Sequence, residues 1–180
     1  MWIKITKDGS SDDYERKSRW IGSIFIIIGL IVSVYSIFST LSTDTILGVA
    51  LTSVGIISAY LTAKINPHTY ASWRKALLIF FSGLIFLFFS ISDSSTIAYF
   101  IGSFFFLNTL NNIYFAYLTR PDATAYAWAI NSLVSALFAF IILSSTATIS
   151  ANGIGLFVAL SLIAEGLTLF YLGRKIYIRP

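Results

Sequence analysis

The chain is 180 residues long, 57% hydrophobic, 17% aromatic and only 11% charged, with a mean hydropathy of +0.82. A soluble domain is nearer half apolar and a quarter charged, so this composition reads as an integral membrane protein. With no cysteine and a single histidine, disulfide frameworks, thiolate nucleophiles and Cys/His metal sites are excluded within the chain, and the net charge of +4 reflects topology rather than nucleic-acid binding.

The leading segment, residues 1–18, runs into Arg19 as "MWIKITKDGSSDDYERKSR" and mixes five basic with four acidic residues. It reads as a short surface segment, either helical around 14–19 with Trp2 and Ile3 at the interface, or a disordered tail. The apolar run that follows is longer than a signal-peptide core and has no small-x-small cleavage site after it. An uncleaved first helix is expected.

Six apolar runs follow, each long enough to cross a hydrocarbon core of about 30 Å at about 1.5 Å per residue. Their expected bounds are 20–38, 45–63, 76–92, 95–119, 125–143 and 153–172. The fourth is the longest and is expected to tilt. With six spans, all twelve Lys and Arg fall on one side: Lys4, Lys7, Arg16, Lys17 and Arg19 before the first span, then Lys64, Arg74 and Lys75, then Arg120, and finally Arg174, Lys175 and Arg179. The opposite loops carry only Asp44, Asp93 and the uncharged "SSTATISANG". Positive-inside bias then places both termini in the cytoplasm.

Taken in pairs, the spans are similar to one another. The pairs open with "RWIGSIFIIIGLI", "WRKALLIFFSGLI" and "WAINSLVSALFAF", and close with "GIISAYLTAK", "NNIYFAYLTR" and "EGLTLFYLGRK". Each begins near a Trp (Trp20, Trp73, Trp128), reaches a small residue (Gly29, Gly83, Ala136), and ends on Tyr-Leu or its like before a basic residue (Tyr60, Tyr117, Tyr171). Tyr60 to Tyr117 is 57 residues and Tyr117 to Tyr171 is 54. The expected architecture is all-α: one transmembrane domain, residues 19–175, of three helical hairpins oriented alike (19–64, 73–120 and 125–175), and a tail at 176–180. This is parallel repetition, unlike the inverted repeats of many secondary transporters.

These three hairpins, with a Gly-Leu/Ile step in the first helix and a Gly or small-residue step in the second, resemble the HdeD-like membrane proteins over nearly the whole chain. The resemblance implies a small inner-membrane protein of acid resistance or general stress, with no enzymatic activity established. The chain departs from the pattern at Ala136, where the first two repeats have Gly, and at Asn112, where Gly55 and Gly166 stand.

Within the expected spans Glu165 is the only charged residue, about 12 Å inside the cytoplasmic end of the sixth. An intramembrane carboxylate is a candidate proton or cation site; a neutral Glu bonded between helices is the competing reading. Asn108, Asn111 and Asn112 in span four, Asn131 in span five and Ser161 in span six lie at similar depths and form, with Glu165, a candidate polar layer. Interhelical amide bonds that hold the bundle together are its default role. Small-residue rows at Gly55, Ala59 and Ala63, and at Gly155 and Ala159, suit close helix contact inside the bundle or between copies. His68 is a loop residue. No phosphate loop, nucleophile elbow or histidine metal motif appears, so no enzyme and no cofactor is expected. Lipid is the expected partner, alone or with a homo-oligomer or larger membrane complex. A non-enzymatic HdeD-like protein is the leading expectation, with an accessory subunit, or a small proton- or ion-handling channel or transporter, as alternatives.

Overall fold

A computed structural model describes residues 10–38, 43–65, 70–88, 93–118, 123–146 and 148–175. These form six helices: α1 (Ser10–Phe38), α2 (Thr43–Ile65), α3 (Tyr70–Phe88), α4 (Ser94–Leu118), α5 (Ala123–Ser144) and α6 (Ala151–Lys175). No strand occurs among the described residues. Trp2, Ile3, His68, Arg120 and the tail 176–180 lie outside them.

Two helix starts show why the chain turns where it does. Asp93 caps α4, its Oδ2 accepting from the Thr96 backbone N–H at 3.0 Å and from the Ser95 and Thr96 hydroxyls. Ser150 does the same for α6, accepting from the Gly153 N–H at 3.1 Å.

Among the described residues, four helices are long and apolar enough to cross a membrane: residues 16–38, 45–64, 125–144 and 151–170. Against six expected spans, α3 and α4 fall outside this group. Three asparagines dilute the apolar run of α4. The outward faces are largely apolar, with Ile27, Leu30, Ile31 and Val34 exposed on α1 and Leu133, Leu137, Phe140 and Ile141 on α5. Water tolerates no apolar surface of that extent on a monomer, whereas lipid does. The chain is a helical membrane protein.

The helices pack in three close pairs: α1 with α6, α2 with α3, and α4 with α5. Contacts within the expected hairpins, α1/α2, α3/α4 and α5/α6, are far sparser. As packing units the hairpins are thus replaced by pairs that straddle them. The cause is backbone approach at glycine. A Cβ on Gly22 would lie 2.6 Å from the Gly166 carbonyl oxygen, and one on Gly55 would lie 2.5 Å from the Phe80 Cα. Only hydrogen side chains let these helices meet. The α4–α5 pair sets Gly102 against the Leu143 side chain and adds polar contacts and an edge-to-face pair, Phe105 on Phe138 with ring centroids 5.6 Å apart.

The core is layered. Leu47, Leu51, Ile101, Phe105, Ile142 and Ile154 are fully buried towards the end where α2, α4 and α6 begin. Towards the other end, where those helices finish, the buried residues turn polar.

Candidate functional site

Lys75 is the centre of this polar end. It sits in the second turn of α3 and is only 7% exposed. Its ammonium pairs with Glu165 Oε1 on α6 at 2.5 Å, donates to Asn112 Oδ1 on α4 at 3.1 Å, and lies 4.9 Å from the centroid of the Trp128 ring on α5. Four helices, α3 and α6 from two of the close pairs and both members of the α4–α5 pair, therefore converge on one cation. Trp128 is held for this contact by stacking on Phe115, with centroids 4.9 Å apart and an interplanar angle of 24°.

This corrects the view of Glu165 as a lone intramembrane charge. Hydropathy ends a span at the first basic residue, but α3 begins at Tyr70, so Lys75 is inside the helix. Burying a charge is tolerable when it is paired and hydrogen-bonded, and here the ammonium has an anion, an amide oxygen and an indole face.

The other candidate residues divide. Asn108, Ser161 and Glu165 line one small cavity with Leu51, Ile79 and Phe105, with about 10 Å³ of space for a water's centre, room for a single molecule. Asn108 Nδ2 also donates to Ser135 Oγ on α5 at 3.2 Å, one turn from the bond of Ser132 Oγ to the Thr109 carbonyl. Asn112 joins the group through Lys75. Asn111 turns away from Glu165: its Oδ1 accepts from Arg74 Nη2 at 2.6 Å and Nε at 3.2 Å, and that guanidinium lies 5.8 Å from the centroid of the Tyr114 ring. Asn131 is buried on α5, and neither of its amide atoms has a partner. Asn108 Oδ1, Asn111 Nδ2 and Asn112 Nδ2 are likewise buried without partners, at about 1–3 kcal/mol for each group left unmade.

Chemically, the site neutralises and ties. Its one buried carboxylate is engaged by its one buried ammonium, and the adjoining cavity has the size of a single water. Among the described residues no cluster of His, Asp or Glu is suited to a metal ion. Sequence reasoning missed Lys75, Trp128, Ser132 and Ser135. The signal for the first was available: a single acidic residue in the spans asks for a cation, and Lys75 stands at the mouth of the third.

No family model, no curated protein and no solved structure matches the chain.

Proposed function

We propose that the chain is a non-enzymatic, HdeD-like integral membrane protein of six spans, acting in acid or stress resistance, with both termini cytoplasmic. The polar layer serves to lock three helix pairs together. The observation that carries this reading is the convergence of α4, α5 and α6 on Lys75 of α3, which engages Glu165 with an interhelical partner. An ion-handling role for Glu165 is correspondingly less favoured.

A repeating contact register supports the three-repeat arrangement. A Cβ on Gly29 would press on Ile163, and one on Gly83 presses on Thr52. These contacts are related by stepping 54 residues forward in the first helix and 111 back in the second. The same steps carry the Gly166 approach to Ile26 onto that of Gly55 to Phe80. Thr109, 54 residues before Ile163, meets α5 at Ser132. Pairs α6–α1 and α2–α3 thus share one register, while the α4–α5 contact at Ser132 lies one turn from Ala136, the residue aligned with Gly29 and Gly83; the arrangement we propose is a pseudo-threefold ring about the membrane normal. The acid or stress role follows from the HdeD-like resemblance.

Acid shock of a deletion strain tests the role: survival should fall and be restored by the wild-type gene. Survival equal to wild type across acidic conditions would sink it. Because the chain has no cysteine, single cysteines at helix ends test the topology through membrane-impermeant labelling. The ends of α2, α4 and α6 should react only from the cytoplasmic side.

A further inference from the structure

α3 and α4 are neighbours in sequence and touch only sparsely. Between them runs a groove of about 570 Å³, within the range of small-molecule sites. Leu77 and Phe81 of α3 and Leu107 and Leu110 of α4 line its length, and Arg74 and Asn111 lie at its basic end. We propose that this groove binds one anionic phospholipid, an acyl chain along the apolar walls and the headgroup phosphate on Arg74 and Asn111. The inference rests on α3 and α4 spanning the membrane as proposed above.

Three observations select that occupant. Arg74 is exposed and spends two of its five N–H groups on Asn111 Oδ1, which orients the guanidinium and leaves donors for phosphate. Asn111 is only 3% exposed, yet its Nδ2 has no partner, and the residue lines the groove. A buried amide N–H beside a cation is a cradle for an anion's oxygen rather than for another helix. Finally, Arg74 sits about 6 Å, one turn, inside the start of α3. That is the depth of the headgroup region, where basic pockets between spans recognise anionic lipid. Lys75 lines the same end, but Glu165 neutralises it, so the charge presented is that of Arg74.

Nanodiscs of equimolar phosphatidylglycerol and phosphatidylcholine, followed by native mass spectrometry of the released protein, test the proposal. The wild-type chain should retain one phosphatidylglycerol with about fivefold preference, the worth of one arginine at the membrane surface. Arg74→Gln should bring that preference close to parity, and Leu107→Trp should lower retention of both lipids by filling the groove. Equal retention by the wild type, or a preference that survives Arg74→Gln, overturns the proposal. So does displacement by free glycerol phosphate, which would mark a headgroup site with no acyl groove. If a variant fails to fold, phosphatidylglycerol with a photoreactive acyl chain serves on the wild type. Adducts should concentrate on α3 and α4; adducts spread evenly over the helices overturn it. Labelling of Ser72→Cys and Phe88→Cys from the same side would remove the membrane-spanning reading of α3 independently of any lipid preference.

Discussion

Lys75 on α3 and Glu165 on α6 form a buried ion pair that joins two helices with little other packing between them. In such a pair the two charges pay for each other's desolvation, so breaking it differs from replacing it. Lys75→Met alone or Glu165→Leu alone should each destabilise the protein by about 3–5 kcal/mol, because each leaves a stranded charge. The double variant should recover most of that loss. Unfolding in mixed micelles, read as a double-mutant cycle, measures the coupling. Two single effects that simply add would show that the groups do not act as a pair.

The asparagines predict unequal consequences for one substitution. Asn112 Oδ1 accepts from the Lys75 ammonium, and bonds to charged groups are worth about 1.5–3 kcal/mol. Asn112→Leu should cost about that much. Asn131 has neither amide atom partnered, so Asn131→Leu should be neutral or stabilising, by up to about 1–3 kcal/mol. Equal destabilisation of both would show that Asn131 has a partner in the membrane, such as a second copy of the chain.

The glycine contacts discriminate in the same manner. Gly166 faces the Gly22 carbonyl oxygen and Gly55 faces the Phe80 backbone, and neither neighbour is a flexible side-chain tip. Gly166→Val and Gly55→Val should cost about 1–3 kcal/mol or more as the paired helices separate. Gly153 has only the Ser150 hydroxyl at 3.3 Å and an Ile149 side-chain carbon nearby. Gly153→Ala should therefore leave stability unchanged or slightly higher. Thermal unfolding of the three variants in one detergent is the comparison; equal losses would remove the close-approach argument.

Helix number and approximate extent were legible in the sequence because apolar length is a local property. The start of α3 was not, since hydropathy stops at Arg74 and Lys75 although the helix continues through them, and that difference conceals the partner of Glu165. The rotation of α4 was also hidden. Adjacent residues on a helix point about 100° apart, so Asn111 and Asn112 go to different neighbours, Arg74 and Lys75 respectively. Only the packing of α3 decides which takes which. The pairing of α1 with α6 joins the two ends of the chain through Gly22 and Gly166, and periodicity within either helix says nothing about it.

Acid should reach Asp93 only far below neutrality. This exposed cap residue at the start of α4 has its carboxyl lowered from the ordinary 3.8 to about 2, first by the Ser95 hydroxyl and then by the Thr96 hydroxyl and backbone N–H. The folded value lies below the unfolded one, so the cap contributes fully above about pH 4 and is lost as pH falls towards 2. A protein working in mild acid would keep this helix start intact throughout. The carboxyl carbon resonance of Asp93 should titrate with a midpoint near 2, and Ser95→Ala should move it up towards 3.8. Asp93→Asn should keep the cap, since an amide oxygen also accepts from the Thr96 N–H, while abolishing the pH dependence. A wild-type midpoint near 3.8 would mean that the three donors do not hold the carboxylate in the membrane-embedded protein.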